Sequence, residues 1–388
     1  MKIVHFSNKP AYPRIDGGTI AISQLLKGLL SNPKCSVTHF TLSTQKHPFT
    51  IEHYPDFFAK DNIHNFAIDT SLSLTGAVSS IVKNESYNVS RFFDASVADE
   101  IEIYLKKYSF DYVILESIFL LPYAEIFKLH GCKVIVRTHN VEHHIWEQQA
   151  ENCSPSLKKM YLKKLAKQLK NYELKALQKV EGIMAISKED AAFMRKAFPT
   201  VPIEIIPTSF SIALAENNNA SSDFYFLGAM DWQPNREGID WLTARVLPLL
   251  NNEINIHLAG KRMFCNEYTD DRIQCHGEIV NASEFIQSHG ICIIPIQSGS
   301  GIKIKLLENM ALGKPIITTT EGARGIEVKH NKHLLIADTP EEFARAMITL
   351  RADEHKRNQL GNAARSFVND NFGEENISKR IFEFIQSI

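Results

Sequence analysis

Short apolar runs alternate along this chain with longer segments in which apolar residues recur every three or four positions. Runs such as KVIVRT at 133–138 and ICIIPI at 291–296 are rich in β-branched residues and too short for a typical helix, so they predict buried strands. The segment 302–312 instead places its apolar residues on one face of a helix. Strands alternating with helices are typical of a parallel sheet with helices on both faces, so the pattern predicts an α/β fold.

The same pattern divides the chain into two halves. In the first half it predicts strands at 2–6, 36–42, 112–116, 133–138 and 182–187, and helices at 19–30, 93–108, 156–179 and 188–198. Residues 45–90 are polar and weakly periodic, which indicates variable loops and short helices. In the second half it predicts strands at 224–227, 254–259, 291–296, 316–320 and 333–338, and helices at 302–312, 340–350, 354–371 and 374–388.

An Asn- and Ser-rich segment, SFSIALAENNNASSD at 209–223, separates the halves. A chain of 388 residues is longer than one hydrophobic core normally serves. We therefore predict two domains, at residues 1–208 and 223–373.

A glycine turn joins the strand at 291–296 to the helix at 302–312. Its small residues, SGSG at 298–301, allow tight bending and close approach of a ligand to the backbone. First-turn amides of a helix lack internal partners and favour an anion such as phosphate. Lys303 and Lys305 add positive charge, and the Glu308 carboxylate is suited to accept hydrogen bonds from sugar hydroxyls. The alternative is an ordinary βαβ unit with a tight loop. A dinucleotide fingerprint is disfavoured because Ile304 stands at its third glycine position.

Two further glycine positions suit the same chemistry. Gly17 and Gly18 precede the helix at 19–30, either as a cradle for an anion or sugar or as a loop that needs positive φ. Gly228 follows the strand at 224–227 and begins another strand–turn–helix unit.

A polar cluster, RTHNVEHHIW, follows the strand at 133–138. Open α/β sheets place ligands at the carboxyl ends of their strands, and an imidazole there can donate or accept a proton near neutrality. His139 is therefore the candidate catalytic residue, and Glu142 the second candidate. The alternatives are a helix capped by Asn140 with solvated histidines at 143 and 144, or a zinc site that uses the i, i+4 pair of residues 139 and 143. The zinc site lacks H-E-x-x-H and a cysteine partner.

Composition narrows the class of protein. Hydrophobic residues are 44%, charged residues 22%, and the formal net charge is −1, so nothing indicates nucleic-acid binding. The six scattered cysteines are expected to be reduced thiols. No apolar run approaches the roughly 20 residues that span a bilayer, and the N-terminus lacks a signal-peptide core, so we expect a cytoplasmic protein. The lysine-rich helix at 156–179 is either a solvated outer face or a peripheral contact with the inner membrane face.

The segment SGIKIKLLENMALGKPIITTTEGARGIE resembles the donor-binding segment of family 4 glycosyltransferases. Glu308 matches the second glutamate of that motif, which in the family contacts the nucleotide ribose. Ser300 stands in place of the first glutamate and Lys303 in place of the second glycine, so that only Gly301 of the glycine pair is kept. The segment also resembles a branch of the family with the motif G-x-G-x-[RK]-x-K-x-x-E.

Two other segments carry the resemblance. Pro234 and Asn235 match the branch in the segment where the family grips the donor diphosphate, although Ala229 and Met230 replace the usual arginine. The HN-x-E segment at 139–142 places the family's active-site histidine on His139. The cation that binds phosphate remains open among Arg236, Lys261, Lys303 and Lys305. The resemblance implies donor-binding roles for Gly17, Gly18, Gly228, Asn235, Arg236, Lys261, Gly299, Ser300, Gly301, Ile302, Lys303, Lys305 and Glu308, and catalytic roles for His139 and Glu142.

The resemblance implies a GT-B fold, in which two Rossmann-like, doubly wound domains face each other across a cleft and the helix at 374–388 returns to the first. It implies a retaining glycosyltransferase of the hexosyltransferase type (EC 2.4), which moves sugar from a nucleotide-diphosphate sugar of UDP or GDP to a hydroxyl of a glycan or lipid-linked glycan. No D-x-D pair stands at a strand end, so we expect no metal or other cofactor. The alternatives are a GT-B sugar-nucleotide epimerase, a non-catalytic nucleotide-sugar-binding protein and, least supported, a nicotinamide-dependent oxidoreductase.

Overall fold

The computed structural model describes residues 1–71, 80, 85–210, 221–299 and 302–388, and these form two compact units. The first unit contains Met1–Ser209 and Ile377–Ile388, and the second contains Phe210–Asn376. Most of the predicted linker falls on residues 211–220, outside the described ranges.

The first unit is built on a parallel sheet of seven strands in the order β3-β2-β1-β4-β5-β6-β7. Its strands are β1 Lys2–Ser7, β2 Ser36–Ser43, β3 Ile63–Ala67, β4 Tyr112–Glu116, β5 Lys133–Thr138, β6 Gly182–Ala185 and β7 Ile203–Ile205. Its helices are α1 Gly17–Leu30, α2 Tyr87–Ser90, α3 Ala95–Lys107, α4 Ala124–Leu129, α5 Glu142–Asn152, α6 Leu157–Ala176 and α7 Lys188–Ala197, with short 3₁₀ turns at Ile51–His53, Lys60–Asn62, Ile118–Tyr123 and Leu177–Lys179.

The second unit repeats this architecture with a six-stranded parallel sheet in the order β10-β9-β8-β11-β12-β13. Its strands are β8 Phe224–Leu227, β9 Ile256–Ala259, β10 Ile273–Gly277, β11 Ile291–Ile294, β12 Ile316–Thr318 and β13 Leu335–Ile336. Its helices are α8 Gln233–Trp241, α9 Ala282–Ser288, α10 Ile304–Ala311, α11 Pro340–Ala352 and α12 Glu354–Phe372, with short turns at Leu242–Val246, Leu247–Leu249 and Cys265–Glu267.

The last helix, α13 Glu374–Ser387, begins at the end of the second unit and completes the core of the first. Ile381 and Ile385 are fully buried in the same apolar cluster as Ile3 and Ile22. The Ser378 hydroxyl also donates to the Gly28 carbonyl, 2.9 Å away. One face of the first sheet is therefore covered in part by the C-terminus of the chain.

Two features differ from the sequence-based expectations. The edge strand β3, with the sequence IHNFA, lies within residues 45–90, where loops and short helices were expected. It has five residues and a single buried side chain, so its apolar pattern is too short to stand out. Cys265 and Cys275 form a disulfide, which contradicts the prediction of reduced thiols at these positions. Within the described ranges, no helix combines the length and hydropathy required to cross a membrane.

The buried face of α13 leads to a stability prediction. Ile385→Ala should lower the free energy of unfolding of the first unit by about 2–5 kcal/mol, because truncation of a buried isoleucine leaves a cavity. Urea unfolding measures the effect, with Gln386→Ala as the control because Gln386 is exposed on the same helix. Equal loss in both variants would contradict burial of the Ile385 side chain.

Candidate active site

Gly228, Asn235 and Lys305 meet at the carboxyl end of β8. Gly228 directly follows the strand, and the Asn235 amide donates to the Ala229 carbonyl at 2.7 Å, which holds the turn. The Lys305 ammonium donates to the Asn235 side-chain oxygen and lies 4.5 Å from the centroid of the Phe226 ring. A Cβ on Gly228 would lie 2.7 Å from Lys305 Nζ, so the glycine lets the cation lie against the turn.

The environment of Lys305 destabilises the charged form of its side chain. Burial, with a smaller contribution from Lys303, lowers the pKa of the Lys305 ammonium to about 7, although Glu308 acts in the opposite direction. A buried cation with a lowered pKa gains most from an anion placed beside it. The turn after β8 is therefore suited to attract a phosphate group.

Two other turns converge on this one. Gly299 has φ +112°, and a Cβ there would lie 3.1 Å from Pro234 Cγ and 3.2 Å from Trp232 Cζ2. A Cβ on Gly260, after β9, would lie only 1.9 Å from the Gly228 carbonyl oxygen. Glycine is thus needed at both positions, because the turns after β8, β9 and β11 are in close contact. The predicted site residues Ser300 and Gly301 lie outside the described residues.

The remaining cations of the second unit differ in placement. Lys303 is only 4% exposed; its Nζ donates to the Gly299 carbonyl at 3.3 Å and lies 3.8 Å from the Glu321 carboxylate. Burial lowers the pKa of Lys303. Arg236 is half-buried on α8, and Lys261 is exposed beyond β9. Lys305 is therefore the cation that lies against the Gly228 turn.

The helix that carries Lys305 begins later than predicted. α10 starts at Ile304 rather than 302, and Lys303 is its N-cap without a side-chain capping bond. Ile302 packs against the core of the unit. Glu308 is half-buried one turn beyond Lys305, close enough for its charge to act on the ammonium.

In the first unit, Glu116 is the centre of a buried polar network. It ends β4, is fully buried, and accepts hydrogen bonds from His139 Nε2 at 2.7 Å, His5 Nε2 at 3.0 Å and Arg137 Nη1 at 3.3 Å. Burial would raise the pKa of Glu116, but the Arg137 charge and the two histidine hydrogen bonds hold it well below its ordinary value. Glu116 is thus a buried anion. Glu116 was not among the predicted site residues, although an acid that ends an apolar run, YVILE, was the available signal.

This network fixes the chemistry of His139. A carboxylate only accepts hydrogen bonds, so His139 Nε2 carries a proton and donates it to Glu116, which leaves Nδ1 as the ring nitrogen that does not face Glu116. The His139 side chain is 18% exposed, whereas Glu116 and His5 are fully buried. Next to Glu116, Ser117 adopts φ +120°, a costly conformation that is frequent at functional sites. His139 is therefore the solvent-accessible end of a rigid, charged network.

The start of α5 corrects two alternatives from the sequence. Val141, not Asn140, is the N-cap, and it makes no side-chain capping bond. The backbone amides of Glu142 and His143 instead donate to the Glu173 carboxylate at 3.2 Å and 3.1 Å. His143 is fully buried rather than solvated, and its Nδ1 lies 2.6 Å from Glu173. His139 and His143 thus face different carboxylates, which argues against a zinc site formed by this pair.

Glu142 lies at the same helix start and differs from an ordinary surface glutamate. Burial, and secondarily the charge of Glu173, raises the pKa of Glu142 to about 7. A carboxyl group with this pKa exchanges protons at neutral pH, which suits a general acid or base.

Gly17 and Gly18 serve the start of α1 in a way the sequence did not predict. The Asp16 side chain caps the helix by accepting from the Thr19 amide at 2.8 Å, and Lys9 Nζ pairs with Asp16 at 2.8 Å. A Cβ on Gly18 would lie 2.6 Å from Lys9 Nζ. Neither glycine has positive φ, so the alternative of a loop that needs positive φ at these positions is wrong. The Gly18 position instead makes room for an ion pair at the helix start.

Comparisons with known proteins agree with this architecture. Residues 221–353 match the family described as "Glycosyl transferases group 1". The chain is 23% identical over 296 residues to an uncharacterized 44.6 kDa protein in the cps region of Klebsiella pneumoniae. This match covers 73% of this chain and 76% of that protein.

Solved structures give the fold. Sucrose-phosphate synthase of Thermosynechococcus elongatus matches with a TM-score of 0.72 at 15% identity, covering 100% of this chain and 99% of that one. HepE of Anabaena, in complex with UDP, matches with a TM-score of 0.68 at 13% identity, covering 100% of both chains. The fold is GT-B. Its two Rossmann-like domains are the two units described above, as the resemblance to family 4 glycosyltransferases implied.

The raised pKa of Glu142 predicts a pH-dependent effect on stability. Between the unfolded value of about 4.3 and the folded value of about 7, the folded chain binds more protons, so this group destabilises the protein as pH rises. The free energy of unfolding of Glu142→Gln minus that of the wild type should therefore increase by about 1–3 kcal/mol as the pH rises from 4.5 to 7.5. Urea unfolding at several pH values measures this gain.

The matched control is Glu151→Gln, at an exposed position of the same helix. It should show no such gain with pH. A Glu142→Gln variant whose stability stays parallel to wild type across this range would contradict the raised pKa.

Proposed function

We propose that this protein is a retaining glycosyltransferase, which transfers a hexose from a nucleotide-diphosphate sugar to an acceptor hydroxyl. The observation that carries the proposal is the half-buried Lys305 ammonium that lies against the Gly228 turn, within the segment that matches the glycosyltransferase family. A cation held in this way is suited to stabilise the negative charge that develops on a departing diphosphate. Because it is fixed before the donor binds, it needs little reorganisation during the reaction.

The donor site is assigned to the carboxyl edge of the second sheet. Lys305 and the turn amides near Gly299 and Gly301 would contact the diphosphate, and Glu308 would accept hydrogen bonds from the ribose hydroxyls. Arg236, Lys261 and Lys303 are further cations of the same edge. UDP is the favoured nucleotide over GDP, since structures of HepE contain UDP and UDP-glucose. Lysine charge serves the leaving group, so the proposal includes no metal or other cofactor.

The reacting groups are assigned to the first unit. Glu116 holds His139 Nε2, and the side chain is partly exposed, an arrangement that would orient the ring beside the transferred sugar. Glu142 would exchange a proton with the acceptor or with water, as its pKa near neutrality permits. Gly17 and Gly18 would border the donor phosphates together with Lys9.

The acceptor is proposed to be a glycan or lipid-linked glycan on the cytoplasmic side of the membrane. The similarity to a protein in the cps region of Klebsiella pneumoniae supports a glycan acceptor of this class. Exposed lysines along α6, such as Lys163, Lys164 and Lys167, would allow contact with an anionic membrane surface. Met160, 69% exposed on the same helix, would add apolar contact.

Glu308→Ala tests the donor site. Loss of charged hydrogen bonds to the ribose should weaken UDP binding about 10- to 100-fold in calorimetry. The control is Glu354→Ala, an exposed glutamate of the same unit, which should bind UDP as wild type does. GDP should bind more weakly than UDP to the wild-type protein. An unchanged UDP affinity in Glu308→Ala would remove Glu308 from the donor site.

His139→Ala tests the reacting groups. Sugar transfer to a panel of glycan acceptors should fall about 10²- to 10⁴-fold, the range for loss of a positioned acid–base group, while UDP affinity stays within about twofold. His53→Ala, an exposed position of the same unit, is the control. An active His139→Ala variant would exclude the assigned role. If the wild-type protein binds the donor but transfers no sugar to any acceptor, it is a binding protein. If it changes the sugar of the donor in the absence of an acceptor, it is an epimerase.

A further inference from the structure

Three histidines converge in the second unit. His257 is the second residue of β9, His276 belongs to β10, and His289 lies two residues before β11. A ring nitrogen from each lies within 4.8 Å of the others. The rings of His257 and His289 are 4.2 Å apart by centroid, and those of His257 and His276 are 5.3 Å apart.

The tautomer of His289 is set by its backbone contact. Its Nδ1 lies 2.7 Å from the Phe285 carbonyl oxygen, which can only accept, so Nδ1 carries the proton and Nε2 has the lone pair. The Lys314 ammonium donates to the His289 carbonyl at 2.6 Å and holds the backbone of this turn. Metal-binding histidines in proteins typically show this donation from the second ring nitrogen to a carbonyl.

A carboxylate lies near His257, at a longer distance than a hydrogen bond. His257 Nδ1 lies 3.0 Å from His276 Nε2, while His257 Nε2 lies 3.9 Å from the Asp223 carboxylate. Asp223 is held in turn by the Ser221 hydroxyl at 3.1 Å and the Asn255 amide at 3.4 Å. A carboxylate beyond a histidine orients the ring and strengthens it as a ligand.

We propose that His257 Nδ1, His276 Nε2 and His289 Nε2 form a binding site for a divalent transition-metal cation, with Zn²⁺ as the reference ion. Three imidazole nitrogens with one open position are an established ligand set for zinc, and imidazole suits this class of metals. The site would join β9, β10 and the turn between α9 and β11. Its ligands come from three separate stretches of chain, so the cation would stabilise the folded second unit.

A second cluster in the described part of the chain is less suitable. His143, His144 and Glu147 also bring ligand atoms within 4.8 Å of one another. However, Glu147 is paired with the Lys170 ammonium at 3.1 Å, so a cation already compensates that carboxylate. In the three-histidine cluster, the ion pair with Asp223 involves His257 Nε2 and not Nδ1, the proposed ligand atom.

Titration of the metal-free chain with Zn²⁺ tests the proposal. Calorimetry should show one Zn²⁺ bound per chain, and Co²⁺ should give the visible absorption of a four-coordinate site. His276→Gln should weaken Zn²⁺ binding by at least about 100-fold, because loss of a direct ligand exceeds the 10- to 100-fold cost of losing an outer partner. His276 is exposed, so this substitution leaves the core intact. Zn²⁺ should raise the Tm of the wild type and not that of His276→Gln.

Three controls separate the site from other zinc ligands. His355→Gln, at an exposed position of α12, and His144→Gln, in the second cluster, should both retain wild-type binding. The double variant Cys265→Ser and Cys275→Ser should also retain it, which excludes binding by reduced thiols next to His276. Wild-type affinity in His276→Gln would overturn the proposal, as would loss of binding only in the cysteine or His144 variants.

Discussion

Parallel pairing of the strands is the constraint on which both candidate sites depend. Every strand pair within the two described sheets is parallel, so strands distant in sequence end at the same edge. In the second unit this brings together the turns of Gly228, Gly260 and Gly299. In the first it places Glu116, at the end of β4, beside His139, just past the end of β5. Both candidate sites therefore lie at the edge where open α/β sheets leave backbone and polar groups exposed.

Each candidate site contains a charged side chain that is fully or partly buried, and the two charges are compensated by their neighbours to different degrees. Glu116 is compensated within the unit by Arg137 and two histidines, so it stays ionised and rigidly oriented. Among the described residues, Lys305 donates to the neutral side-chain amide of Asn235 and has aromatic rings nearby, and burial lowers its pKa to about 7 although the charge of Glu308 acts in the opposite direction. A compensated charge positions a neighbour, whereas an undercompensated one gains by binding an ion of opposite sign. This difference matches an orienting role for Glu116 and a binding role for Lys305.

Two helices of the first unit differ in how they begin. Asp16 caps α1 with its own side chain, an arrangement visible in local sequence because Thr19 completes the capping box. α5 is capped by Glu173, which lies 30 residues beyond His143 in sequence. No local pattern could indicate that partner. Burial, and secondarily the charge of Glu173, raises the pKa of Glu142 to about 7. Tertiary packing thus decides the acid–base character of a residue that the sequence could only nominate.

The sequence by itself determined the alternation of strands and helices, the position of most elements, and the candidacy of His139, Lys305 and Glu308. These follow from local periodicity and from turn residues, which act over a few positions. Only the tertiary structure decided that Lys305 lies against Gly228, that Glu116 holds His139, and that His257, His276 and His289 converge. Such contacts depend on the packing of segments far apart in the chain, and burial, charge and pKa follow from that packing.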